Sequence, residues 1–248
     1  MRRSHQDKVA VVTGAARGIG QAISHRLAEH GANVAGIDLG DLSETEALVN
    51  SVGGRWLGLC ADVTSQEDVA RIAAEVTAQF GACNVLVNNV GIYPRVAWDE
   101  LDYDTWKRFF RVNLDSQFLM CKAFVPGMKA KSWGRIVNIT SDSIQLATAA
   151  TTPYKASKMG VIGFTRGLAG DLAPYGITVN AASPSITRTP GIFEHAGEAR
   201  LNEIAGRQLI KKVAVPDDVV GTILFLTGED SYFVTGQTIF ANGGLVFL

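Results

Sequence analysis

Cysteine is scarce in this 248-residue chain: Cys60, Cys83 and Cys121 stand far apart and odd in number. That excludes a disulfide framework and any Cys-x-x-Cys motif, and it leads us to expect reduced core thiols in a cytoplasmic protein. Histidine is also sparse. Of the four present, His25 and His30 are five apart and face different sides of a helix, so no metal-ligand pattern forms and no metal is expected. Charge of one sign is missing too. With a net charge of -1 and a pI near 6.4, the chain offers no basic field for nucleic acid or an anionic membrane surface. No apolar run approaches a membrane span, and the charged residues 1–8 are followed by no apolar leader region, so an unexported, soluble protein is expected.

What is present is ordinary globular material, 47% hydrophobic and 19% charged, enough for one large α/β domain over residues 1–248. Short β-branched runs alternate with longer amphipathic stretches, which predicts repeated βα units and a doubly wound, mostly parallel sheet with helices on both faces. Strands are expected at 8–13, 33–38, 55–61, 84–88, 134–140, 177–182 and 237–240. Helices are expected at 18–30, 43–52, 65–80, 102–130, 153–174 and 216–227. Thr64 or Ser65, ahead of Glu67 and Asp68, and Pro216, ahead of Asp217 and Asp218, act as start signals. The stretch 183–212 lacks a clean period and holds Pro184, Pro190 and Gly191. It reads as irregular, with a substrate lid over about 190–212.

Tyr154-Lys-Ala-Ser-Lys158 places a phenol and an ammonium four residues apart on one predicted helix face. A phenol ionises near pH ~10, so a neighbouring positive charge from Lys158 would tune Tyr154 toward acid/base work near neutrality. Taken alone, the pair more often describes two surface residues that share a helix face. The run Thr13-Gly-Ala-Ala-Arg-Gly-Ile-Gly20 follows the first strand and opens the first helix, the context of a dinucleotide-binding turn. Gly14, Gly18 and Gly20 would let the backbone approach a pyrophosphate at the helix N-terminus. Asp38, at the end of the second strand, is placed to bond ribose hydroxyls, or else to serve as a cap. Residues 33–54 contain no Lys or Arg, which favours NAD over a 2′-phosphorylated cofactor, with Arg17 the one nearby cation arguing otherwise.

Together with Asp62-Val63, Asn88-Asn-Val-Gly91, Asn113 and Ser141, these motifs resemble the short-chain dehydrogenase/reductase family nearly end to end. The resemblance implies a seven-stranded doubly wound fold, hydride transfer with NAD(P), and a homotetramer, and the acidic stretch after the second strand narrows the cofactor to NAD. It implies Tyr154 as general acid/base, Lys158 as the group that lowers its pKa and holds the nicotinamide ribose, Ser141 as the group that orients the substrate oxygen, and Asn113 as support for a proton path. It assigns Gly14, Arg17, Gly18, Ile19, Gly20, Asp38, Asp62, Val63, Asn89, Gly91, Pro184, Thr187 and Thr189 to the cofactor. Val90, Ser185 and Asn242 depart from the family's usual Ala, Gly and Asp.

The substrate walls are read as Tyr93, Pro94, Trp98, Ile144, Gln145, Leu146, Ile192 and Phe193. Few of these carry charge, which favours a compact aromatic or partly apolar alcohol or carbonyl compound over a polyanion. Residues 89–94, 123–129 and the tail 243–248 are similar to those of aryl alcohol-oxidising and pyridoxal-oxidising members of the family. That implies first the pyridoxal hemiacetal going to 4-pyridoxolactone. The alternatives are a 1-phenylethanol-type alcohol, a 3-oxoacyl compound, a sugar or polyol, and a non-enzymatic cofactor-sensing protein. The apolar run from Leu245 to Leu248 is expected to pack across a subunit boundary.

Overall fold

In a computed structural model of the chain, residues 4–247 are described, the side chains of Glu194 and His195 excepted. Residues 1–3 and Leu248, which entered the readings of the N-terminal segment and the apolar tail, lie outside that description. Seven strands form one parallel sheet in the order β3-β2-β1-β4-β5-β6-β7. They are β1 (Val9–Thr13), β2 (Asn33–Asp38), β3 (Arg55–Cys60), β4 (Val85–Asn88), β5 (Gly134–Ile139), β6 (Ile177–Pro184) and β7 (Thr238–Ala241). All residues of β1, β4, β5 and β6 are buried. Helices cover both faces of the sheet, so these strands show no alternation of buried and exposed positions.

Two apolar clusters, one centred on Val11, Ile37, Leu86, Ile136 and Val179 and one on Val12, Ile23, Val87, Val137 and Ile223, form the core. The helices packed against them include α1 (Gly18–Glu29), α2 (Ser43–Ser51), α3 (Gln66–Phe80), α6 (Thr152–Leu172) and α8 (Pro216–Thr227). Ser65 caps α3 by accepting the Asp68 N–H at 3.2 Å, and Pro216 opens α8. Strand order reverses between β1 and β4, and the crevice at their carboxyl ends is where doubly wound sheets bind ligands.

Two helical expectations need correction. The single helix expected over 102–130 is α4 (Tyr103–Phe110), a π turn over Arg111–Asp115, and α5 (Ser116–Ala130). The widened turn keeps helical periodicity, so sequence pattern alone does not reveal it. The stretch expected to be irregular is largely α7 (Pro190–Arg207). Its pattern is broken because Gly197, at φ 69° and ψ 171°, interrupts the helix and turns the second half onto a new face. Cys83 and Cys121 are buried, and burial raises the Cys121 thiol to about 12, but Cys60 is exposed and is not a core thiol. Among the described residues no helix is long and apolar enough to cross a membrane, and no His, Cys, Asp or Glu group could hold a metal ion.

Candidate active site

The turn after β1 is shaped by close backbone approach. Gly14 sits at φ +67° and donates its N–H to Ile37 O at 2.8 Å. A Cβ on Gly20 would fall 2.0 Å from the Gly14 carbonyl oxygen and 2.7 Å from Asn89 Nδ2, so only glycine fits there. Asn89 ties the turn to the end of β4: its N–H donates to Thr13 Oγ1 at 2.9 Å, and its Nδ2 donates to Thr13 O and Gly14 O at 2.9 and 3.2 Å. Asp38 reaches back to the same turn, accepting the Ala16 N–H at 3.0 Å and the Gly40 N–H at 2.9 Å. Its oxygens keep lone pairs for ribose hydroxyls. Arg17, in the same turn, directs its guanidinium toward the start of α7, with Nη2 3.5 Å from where a Gly191 Cβ would sit. Asp62 accepts the Thr64 N–H at 2.9 Å, and Val63 is buried in the core beside it.

The π turn positions Asn113, which is fully buried. Its Oδ1 accepts the Ile92 N–H at 2.8 Å, while Nδ2 donates to Ile92 O at 3.2 Å and Ser157 Oγ at 3.0 Å. Gly91 is packed so closely that a Cβ there would meet Lys158 Nζ at 3.1 Å and Asn113 Oδ1 at 3.3 Å. Lys158 itself is buried and donates to Ile139 O at 2.8 Å, and burial lowers its pKa to about 8. Tyr154, one turn earlier on α6, packs edge-on against Tyr93 with ring centres 4.4 Å apart.

Burial raises the Tyr154 phenol well above its ordinary range, a hydrogen bond with Ser141 pulls it back, and Tyr93 and Asp142 push it further up. Lys158 stands one turn further along α6. The lysine amine is held by Ile139 O, and desolvation of the phenol dominates. Ser141 ends the strand segment and caps the 142–145 turn, accepting the Ser143 N–H at 3.2 Å.

These groups open onto a cavity of about 240 Å³. Tyr93, Ser141, Tyr154 and Lys158 line it, with Ile19, Asn89, Gly91, Pro184, Thr187 and Thr189 from the expected cofactor set. Leu146 and Ile192 line it as expected, but Trp98, Ile144, Gln145 and Phe193 do not. Trp98 stands 73% exposed on a separate turn and Phe193 is exposed on α7. The tight 142–145 turn brings Asp142 and Ser143 to the cavity in place of Ile144 and Gln145. Leu245, the first residue of the run expected at a subunit boundary, also lines the cavity.

Sequence reading missed Asp142, Thr148, Arg200 and Ile204. Asp142 is 3% exposed, and burial raises its carboxyl to about 6 against a smaller opposing pull from the Ser185 hydroxyl. Neither Asp142 Oδ2 nor Ser185 Oγ completes a well-formed hydrogen bond among the described residues. A carboxylate directly after Ser141, and Ser in place of Gly at 185, were the available signals. A wider cleft of about 890 Å³ adjoins the cavity, and Arg17, Arg95, Arg108 and Arg200 line it. The expectation of walls with few charges fails there.

A family model described as enoyl-(acyl carrier protein) reductase matches residues 14–246. The chain is 38% identical, over 96% of each sequence, to the (2S)-[(R)-hydroxy(phenyl)methyl]succinyl-CoA dehydrogenase subunit BbsD of Thauera aromatica. It belongs to the short-chain dehydrogenase/reductase family. A further family member, 3-oxoacyl-[acyl-carrier-protein] reductase FabG of Vibrio cholerae, is 34% identical over 98% of this chain and 99% of its own. A solved short-chain dehydrogenase/reductase structure from Burkholderia xenovorans superposes with a TM-score of 0.92 at 34% identity, covering 99% and 98% of the two chains.

Short-chain dehydrogenases use a nicotinamide cofactor, and this site fits one. The glycine turn is held tight against Asn89, with no room for a Cβ at Gly20, as a turn that presents its backbone to a pyrophosphate requires. The orphaned Asp142 Oδ2 and Ser185 Oγ provide polar atoms beside Ser141, where the carboxamide end of such a cofactor needs partners. When bound, the nicotinamide supplies hydride transfer to or from carbon. The chain's own task is to orient the substrate oxygen through Ser141 and to move one proton at Tyr154 Oη.

Proposed function

We propose that this oxidoreductase of alcohols and carbonyl compounds is NAD-dependent, and that it oxidises a small alcohol with an aromatic or partly apolar body. The observation that carries this reading is the placement of Tyr154 and Ser141 on a cavity of about 240 Å³ whose other walls include Ile92, Ile139, Leu146, Ile186, Ile192, Ile204 and Leu245. Tyr154, as its phenolate with the Lys158 ammonium one turn along α6 favouring that form, would take the proton of a substrate hydroxyl held by Ser141, while the hydride on the same carbon passes to a bound nicotinamide. Lys158 and Asn113 position the ribose side. Residues 190–212 act as the lid, because Thr189 at its start lies 3.0 Å from where a Gly18 Cβ would sit.

NAD is favoured by Asp38. A 2′-phosphate at its ribose site would meet a carboxylate, with no Lys or Arg in residues 33–54 and Arg17 turned toward Gly191. The pyridoxal hemiacetal implied by the sequence resemblance, which would make the protein a pyridoxal 4-dehydrogenase, enters as one arm of a panel, since neither of the two relatives is named for it. FabG similarity keeps an NADPH-dependent 3-oxoacyl reductase as the second reading. Exposed Phe118, Phe225 and Phe233 support a homotetramer, which light scattering would test.

The test measures absorbance at the reduced-cofactor band with NAD or NADP against pyridoxal, 1-phenylethanol, a polyol and a 3-hydroxyacyl thioester. Turnover with NAD at a kcat/KM at least about tenfold above NADP supports the reading, because each such factor is about 1.4 kcal/mol of discrimination. A preference for NADP, or turnover of the thioester alone, would replace it with the reductase reading. Cofactor binding without turnover would favour a sensor.

A further inference from the structure

Four arginines line the outer cleft, and none of its described lining residues is acidic. The chain as a whole carries a net charge of -1, so this concentration of one sign does not reflect an overall excess. Arg17 lies beside the glycine turn and Gly191, which assigns it to the cofactor's phosphate side. The other three come from separate elements around the mouth: Arg95 from the loop after β4, Arg108 from α4 and Arg200 from α7.

Arg95 donates one N–H to Ala149 O at 3.1 Å. That bond bridges the two loops that flank Tyr154, and the other guanidinium N–H groups of Arg95 have no partner among the described residues. The Arg108 side chain has none either. Arg200 lines both the inner cavity and the outer cleft. Its ion pair with Glu203 at 2.6 Å joins two partly exposed side chains, a kind of pair that contributes little and exchanges partners easily.

We propose that Arg95, Arg108 and Arg200 form an anion-recognition rim. The rim selects substrates that carry a carboxylate or phosphate remote from the reacting carbon, and it holds that group at the mouth while the alcohol or carbonyl oxygen meets Tyr154. Guanidinium forks suit this task because they bind planar oxyanions through paired hydrogen bonds. A cleft of one charge sign also concentrates anionic substrate before docking. Neutral alcohols fit the inner cavity but lack the anchor. This inference rests on the dehydrogenase reading and narrows its substrate class.

Two matched pairs of probes test it: 4-(1-hydroxyethyl)benzoate against its methyl ester, and 3-hydroxybutyryl-CoA against the N-acetylcysteamine thioester. Binding to the full chain with NADH present is measured by calorimetry and turnover by NADH formation, so a failed dehydrogenase reading shows as binding without turnover. The expected result is that the anionic member of at least one pair binds at least about tenfold more tightly, since a charge-assisted hydrogen bond of ordinary strength accounts for that factor. The pair that shows it distinguishes a small carboxylate from a phosphate-bearing carrier. In Arg200→Gln and Arg95→Gln the anionic-to-neutral ratio should fall toward one while NAD affinity stays level. Equal binding of both members of both pairs, or a loss that falls on NAD instead, overturns the proposal.

Discussion

Asn113 grips Ile92 at both backbone ends: Oδ1 takes the Ile92 N–H at 2.8 Å and Nδ2 reaches Ile92 O at 3.2 Å. The π turn thereby locks the loop that carries Gly91, Ile92 and Tyr93 against Lys158 and Tyr154. Asn113→Leu, close in volume, leaves those backbone groups without partners. It is expected to cost about 2–4 kcal/mol of stability and to lower kcat more than it raises the KM for NAD, which urea unfolding and steady-state kinetics would check. Unchanged kcat would show that the loop holds without this clamp.

Gly20→Ala places a methyl 2.0 Å from the Gly14 carbonyl oxygen, a backbone atom fixed by the turn. Overpacking of this kind costs about 1–3 kcal/mol or more, so NADH affinity, read by calorimetry, should drop at least about tenfold. Wild-type affinity in this variant would mean that the turn is not the pyrophosphate cradle.

Asp142 is a buried carboxyl raised to about 6 by desolvation. Its protonated form is favoured in the folded state, so its contribution to stability is intact below the ordinary carboxylate range and is lost as pH rises through about 6. At neutral pH the buried charge costs about 2–3 kcal/mol. Asp142→Asn should raise the Tm by several degrees at pH 7.5 and hardly at all at pH 4. Because Asp142 also pushes Tyr154 upward, the acid limb of kcat/KM for alcohol oxidation should move to lower pH in the same variant. An unmoved limb would separate the carboxylate from the proton transfer.

His5 is fully buried, its Nε2 2.8 Å from Thr227 Oγ1. Thr227 already donates its hydroxyl to Ile223 O at 2.8 Å, so the imidazole donates through Nε2. Burial first, then the nearby His30, lowers its pKa to about 4, with Lys8 also lowering it and Glu229 opposing. A depressed histidine contributes stability that is present above the unfolded pKa near 6.5 and is lost as pH falls toward 4. That loss amounts to about 3 kcal/mol. His5→Gln should flatten the urea midpoint between pH 7 and 4.5, and an equally steep acid loss in the variant would point to other groups.

The strand positions could be read from sequence because short β-branched runs mark β1, β4, β5 and β6, which are buried throughout, whereas their order in the sheet is set by crossovers that the pattern does not show. The glycine turn and Tyr154-x-x-x-Lys158 were legible because their chemistry lies within a few residues. The rest depends on contacts that spacing does not encode. The π turn keeps the helical period, and Gly197 scrambles that of α7. Arg95, Arg108 and Arg200 meet only once the fold brings three elements to one cleft. Asp142 was not singled out, because its place directly after Ser141 does not by itself reveal the burial that raises its pKa. Nor does spacing reveal that Tyr154 is buried deeply enough for desolvation, ahead of its hydrogen bond with Ser141, to be the largest influence on the phenol.

Proton transfer at Tyr154 is most directly tested by Tyr154→Phe, assayed in a single turnover with saturating NAD and the best alcohol of the panel, alongside NADH binding. The expected result is a fall of about 10²–10⁴-fold in the chemical step with NADH affinity kept. A variant that turns over within about tenfold of the wild type while folded and cofactor-bound would contradict Tyr154 as the group that takes the substrate proton.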